Sequence, residues 1–210
     1  MRNTTSGALG VTNGGGNPII LTANTAKLET SGIDVQVDYS LPVGFSLFGK
    51  EESRLGFFFL GTYLDKFRST AVASVPERVT IAEGSISTNP LPRWRHTARL
   101  TWADSFGTLS LRWRHDGPVQ DPRVVNTFLG LDRIGTDPAL LPNARIGAAN
   151  YIDFSLSAQA GEHLTLTAGV NNLFNKSPTV LGAAQEQANT FPSTYDVLGR
   201  DFFVSARLSF

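Results

Sequence analysis

The sequence predicts an all-β protein, an antiparallel wall of a transmembrane β-barrel. Apolar and polar residues alternate with a period of two along most of the chain. The links between the alternating runs switch between tight and long. No apolar run approaches the roughly 20 residues that a spanning helix needs. The densest one, Leu55 to Leu60, is six residues with a glycine inside.

Seven strands follow from the alternation. In the first, Ile33, Val35, Val37 and Tyr39 alternate with Asp34, Gln36, Asp38 and Ser40. The second, near Arg54 to Asp65, carries Phe57-Phe58-Phe59-Leu60 and is too uniformly apolar for its faces to be assigned. Trp94, His96, Ala98, Leu100 and Trp102 form the apolar side of the third, and Leu109, Leu111, Trp113 and His115 that of the fourth. Ile152, Phe154, Leu156 and Ala158 mark the fifth, and Leu164, Leu166, Ala168 and Val170 the sixth. The seventh runs to the end through Phe202, Val204, Ala206, Leu208 and Phe210. A short strand over Pro18–Thr22 is the only element expected before residue 28; Asn13-Gly14-Gly15-Gly16 reads as a loop.

Ala103–Gly107 and Ala160–His163 are tight turns, and Leu41–Ser53 is an intermediate link. The segments near 66–92, 117–149 and 172–199 are rich in Pro, Gly, Asn and Asp and are expected to lack structure of their own. Three loops of that length are rare in a compact soluble domain. They are usual in an outer-membrane barrel, where short turns face the periplasm and long loops face outside. Within a bilayer every backbone polar group must pair inside the protein, so helices or closed sheets are the spanning solutions, and no helix is available here.

Trp94 opens a strand and Trp102 closes it. Eight residues separate them, about 27 Å along the strand or roughly 20 Å of depth after tilting. That places Trp94 and Trp102 near the two interfaces, as in an aromatic belt. Arg93-Trp94-Arg95-His96 recurs as Arg112-Trp113-Arg114-His115 across the tight turn. Pairing Trp102 with Leu109 sets His96 opposite His115, Arg99 opposite Arg112 and Arg95 opposite Asp116. Trp94, Trp102 and Trp113 then belong to an interfacial girdle, and Arg95, Arg99, Arg112 and Arg114 form a basic strip on the inner wall. The strip either attracts an anionic ligand or pairs with carboxylates, those of a plug or neighbours such as Asp116.

Composition narrows the chemistry. The 210 residues carry 18 basic and 18 acidic side chains and a net charge of zero, so nothing draws the chain as a whole to nucleic acid. With no cysteine there are no disulfides, thiolate metal sites or cysteine nucleophiles. His96, His115 and His163 lack the spacing of a metal site, and Asp132 and Asp137 match no calcium loop. There is no phosphate-binding glycine loop, nucleophile elbow or paired-carboxylate motif. No enzyme activity and no cofactor are expected. The start, Met1 to Gly7, has no apolar stretch of an export signal, so the chain reads either as cytosolic or as lacking the start of an exported protein.

Tyr195 to Phe210, an alternating strand that ends in an aromatic, resembles the C-terminal strand of TonB-dependent outer-membrane receptors. Gly169-Val170-Asn171-Asn172-Leu173-Phe174-Asn175-Lys176-Ser177-Pro178 is similar to their penultimate-strand motif, and Thr30–Asp34 and Gly61–Asp65 to their later barrel strands. The resemblance covers about residues 28–210. It implies the last third of a 22-stranded barrel in the bacterial outer membrane, with residues 1–28 as loop and possible partial strand. It implies active uptake of a scarce nutrient such as a ferric siderophore, cobalamin or saccharide, driven by TonB. Neither the family's plug domain nor its TonB box is found here, so the chain is expected to be a fragment that meets TonB only through the missing N-terminal region and does not transport alone. Phe202, Val204, Ala206, Leu208 and Phe210 would be the signal read by the barrel-assembly machinery. The other implied partners are outer-membrane lipid and a small ligand such as an iron chelate. Two alternatives remain at this level: another outer-membrane barrel (porin or autotransporter), and a soluble β-sandwich binding module with its apolar faces packed together.

Overall fold

The computed structural model describes residues 27–47, 52–70, 79–86, 89–121, 145–181 and 187–209. The strand expected at Pro18–Thr22, the glycine loop at Asn13–Gly16, Asp132, Asp137 and Phe210 lie outside them.

The described residues are all-β, as the alternation requires. The elements are β1 (Lys27–Val43), β2 (Ser53–Thr70), β3 (Val79–Ile81), β4 (Ser85–Ile86), β5 (Pro90–Leu91) and β6 (Trp94–Ala103). They continue with β7 (Gly107–Asp116), β8 (Val119–Gln120), β9 (Arg145–Ile146), β10 (Ala149–Gln159), β11 (Leu164–Asn171) and β12 (Asp201–Leu208). The seven long strands form one sheet in the order β1-β2-β6-β7-β10-β11-β12, and every neighbouring pair is antiparallel. Chain order is therefore sheet order, and the three short links lie at one end with the three long ones at the other. The sheet is open: β1 and β12 are its edges among the described residues.

The register sorts side chains onto two faces. Trp102 pairs with Leu109, Leu100 with Leu111, Ala98 with Trp113 and His96 with His115, as the tight turn predicts; Asp104 N–H closes that turn on Gly107 O at 3.0 Å. The same rows continue across the sheet. Leu100 and Leu111 line up with Phe57 and Tyr39 on one side and with Phe154, Val170 and Phe202 on the other. The apolar residue sets of all seven strands thus share one face. Leu100, Leu111, Leu166 and Val204 are exposed there, and among the described residues no second sheet layer packs on it. The structure therefore does not support the β-sandwich alternative.

Pairing also settles the faces of β2. Leu55, Phe57 and Phe59 lie on the apolar face opposite Trp102, Leu100 and Ala98, whereas Phe58 and Leu60 stand among Arg99 and Thr97 on the polar face. β1 and β2 are 17 and 18 residues long, more than a bilayer requires. Tyr63 pairs with Trp94, so Leu64–Thr70 run on beyond the start of β6.

The long links are not structureless, contrary to the sequence expectation. β3 pairs with the end of β2, and β5-β4-β8-β9 form a second sheet drawn from two of the links. These strands are two or three residues long, too short to show a period. The buried apolar cluster lies at this end, with Ile86, Val119, Ile146, Ala149 and Tyr151 packed against Phe191 and Tyr195 of the third link. Among the described residues the body of the large sheet forms no buried cluster of this kind. Its backbone is satisfied by its ladders, and its apolar face is left to its surroundings.

Candidate functional site on the polar face

The polar face carries the basic strip. Arg95 pairs with Asp116 in the β6–β7 register, and its Nε–H donates to Asp116 Oδ1 at 2.6 Å. Arg112 lies opposite Asp153 of β10. Asp153 Oδ2 accepts Nε–H of both Arg112 and Arg114 at 2.8 Å, while Asp153 Oδ1 accepts Arg114 Nη2 at 3.0 Å and the backbone N–H of Asn172 at 2.8 Å. Arg114 also lies over the Tyr151 ring, 5.0 Å from its centroid. One buried carboxylate thus holds two guanidinium groups and a backbone amide, as a charge leaving water must be held.

Arg99 differs from the other three. It is opposite Arg112 and has no carboxylate partner among the described residues. With Arg112 it lines a cavity of about 400 Å³ whose other polar residues include Thr101, Thr108, Ser110 and Ser155. Phe203 closes the β12 side. Its ring occupies the space above Gly169, where a Cβ would lie 2.5 Å from Phe203 Cζ, so glycine there is a packing requirement. A second cavity, about 300 Å³, is lined by Arg95, Arg114, Asp116 and by Thr194 from the third long link. The polar face is therefore zoned: ion pairs toward the long links, hydroxyl groups toward the short turns, and Arg99 at the boundary.

The penultimate-strand motif is what anchors Asp153. Asn172 takes a left-handed conformation (φ 51°) that asparagine tolerates. Its side chain is fully buried and bonds both N–H and C=O of Lys176, with Asn172 Oδ1 accepting at 2.8 Å and Nδ2 donating at 3.0 Å. The turn so formed aims Asn172 N–H at Asp153. The sequence marks Asn172 only as a member of that motif and Asp153 only as a polar position of β10; their partnership has meaning only once the register across the second long link is known.

On the apolar face the aromatics gather near the long-link end. Phe59, Trp94, His96, Trp113 and His115 have successive ring centroids 4.4–6.3 Å apart. Trp94 Nε1–H donates to His96 Nδ1 at 2.8 Å, and Trp113 Nε1–H to Asn150 Oδ1 at 3.0 Å. Trp102 is at the opposite end against Phe45, 5.2 Å between centroids. Trp113 pairs with Ala98, midway between Trp94 and Trp102. On β12, Phe202, Val204, Ala206 and Leu208 lie on the apolar face and are exposed. Among the described residues no group of three His, Asp or Glu side chains is placed to hold a metal ion.

A family model for the β-barrel of TonB-dependent receptor-like proteins matches residues 3–173. The chain belongs to this family. The match ends at Leu173, inside the penultimate-strand motif. Searches of curated proteins and of solved structures returned no match. TonB-dependent receptors are bacterial outer-membrane proteins that transport and do not catalyse, and the open antiparallel sheet is their wall. Membership sets aside the porin and autotransporter alternatives.

Proposed function

We propose that residues 29–210 form part of the wall of a bacterial outer-membrane receptor that takes up a scarce nutrient, such as a ferric siderophore, cobalamin or a saccharide, with energy from TonB. The observation that carries this reading is the separation of faces across seven strands: apolar rows unbroken from Tyr39 to Phe202, and ion-paired arginines behind them. Hydrocarbon tolerates no unpaired sheet edge, so β1 and β12 pair with further strands in the closed barrel. The polar face then looks into the lumen toward a plug, and the long links form the outer mouth. Phe202, Val204, Ala206, Leu208 and Phe210 serve as the assembly machinery's signal. Arg99, with Arg112 and the hydroxyl zone around it, faces a carboxylate of ligand or plug; Arg95 is neutralised by Asp116 within the wall, while Arg112 and Arg114 share the one charge of Asp153.

The test is uptake by cells with and without the gene, supplied in turn with a labelled ferric chelate, cobalamin or an oligosaccharide. A loss of uptake of one of these, matched by loss in cells lacking TonB, supports the proposal. Unchanged uptake of all three contradicts it.

A further inference from the structure

At the long-link end the apolar face runs into a cavity of about 390 Å³. Trp94 and His115 form its floor. Both belong to the apolar face by register, so the cavity opens on that side. Its upper wall comes from the second sheet. Val119 and Ile146 pair with each other and point into the buried cluster. Gln120 and Arg145, the next pair along, therefore point the other way, to the side of Trp94 and His115, and both are exposed.

The charges in this cavity do not cancel. Glu83 is completely buried; it accepts Arg68 Nε–H at 2.9 Å and the backbone N–H of Phe67 at 3.0 Å. Arg93 has one Nη 3.6 Å from the same carboxylate and donates its other Nη to Asp65 O at 2.9 Å. Arg145 has no partner among the described residues. Arg68, just outside the cavity, and Arg93, in its wall, share the Glu83 carboxylate, and Arg145 in the same wall has no counter-charge among the described residues, so the local balance is positive. These groups lie just beyond the aromatic cluster, at the depth where lipid headgroups meet water.

We propose that this cavity binds the phosphate-bearing headgroup of a membrane lipid in the leaflet at the long-link end. Arg145 makes the direct contact, Arg93 adds charge, and the Trp94 and His115 rings pack on the adjoining glycerol and acyl segments. This rests on the wall reading, because only a lipid-facing apolar side brings headgroups to the cavity. A guanidinium fork suits phosphate oxygens, and a basic group at a membrane surface favours an anionic lipid.

The test uses the whole chain in zwitterionic detergent, with Trp102 and Trp113 replaced by Phe so that Trp94 reports alone. Dioctanoyl phosphatidic acid, dioctanoyl phosphatidylcholine and inorganic phosphate are titrated separately. Saturable change with phosphatidic acid, weak or no response to phosphatidylcholine, and an about five- to tenfold weaker affinity in Arg145→Gln support the site. Arg145 is exposed and contributes to no core, so this variant should fold normally. An unchanged affinity in Arg145→Gln overturns the assignment. So does inorganic phosphate binding as tightly as the lipid, which would make this a soluble-anion site. Quenching of Trp102 by lipids brominated on their tails is measured in parallel, in a chain with Trp94 and Trp113 replaced by Phe. Quenching with no effect of Arg145→Gln rejects the headgroup site alone; absence of quenching rejects the wall reading.

Discussion

Asp153 stands directly across the sheet from Arg112, and its carboxylate binds Arg112 and Arg114 together, each Nε 2.8 Å away. Asn172 N–H completes the set. Replacing Asp153 with Asn leaves two neighbouring guanidinium groups without a counter-charge. Breaking a fully buried pair costs about 3–5 kcal/mol. Here the arginine side chains keep 37% and 34% of their surface exposed, so water offsets part of the loss. Asp153→Asn is expected to destabilise by about 2–3 kcal/mol. Arg99→Gln, which breaks no ion pair, should stay within about 0.5 kcal/mol. Urea unfolding in detergent micelles compares the two.

Gly61 sits beneath the Trp94 ring. A Cβ there would lie 2.7 Å from Trp94 Cη2 and 2.9 Å from Phe59 Cε1. Gly61→Ala should displace the indole from its bond to His96, shift Trp94 emission and cost about 1–3 kcal/mol. Gly56 is the control, since a Cβ there meets nothing closer than 3.7 Å. Gly56→Ala should leave emission and stability almost unchanged.

Burial, with the negative charge of Asp116 nearby, pushes the Tyr195 phenol well above its ordinary value. A group whose folded-state pKa is raised stabilises fully below its unfolded pKa, about 10 for tyrosine, and that contribution is lost as pH rises further. The loop cluster should therefore hold through neutral pH and loosen in strong alkali, later than free tyrosine ionises. The Tyr195 hydroxyl has no hydrogen-bond partner among the described residues, so Tyr195→Phe should cost little at neutral pH and remove part of the alkaline sensitivity. Tyrosinate absorbance against pH, followed alongside near-ultraviolet circular dichroism, measures both.

The two charge pairs show what the sequence could and could not reveal. Arg95–Asp116 was legible because the Ala103–Gly107 turn is tight, and a short turn fixes every pair of its hairpin. Arg112–Asp153 was not, because the register between β7 and β10 crosses the link 117–148, whose length sets no register. The faces of β2 were hidden for a different reason: Phe58 and Leu60 are apolar but lie on the lumen side, where the pattern expects polar residues. β4, β5, β8 and β9 escaped because two residues cannot display alternation. On the six long strands other than β2 the apolar face was legible, since each repeats a period of two along its length.

The claim on which the rest depends is that this face meets lipid. The three tryptophans, Trp94, Trp102 and Trp113, all lie on it, with Trp113 opposite Ala98 and so halfway between the other two. The direct measurement is quenching of single-tryptophan variants in bilayers whose lipids carry bromine at graded depths along the acyl chain. The prediction is that all three are quenched, Trp113 most by deep bromines and Trp94 and Trp102 most by shallow ones. Tryptophans that brominated lipid leaves untouched while aqueous iodide quenches them would contradict the account.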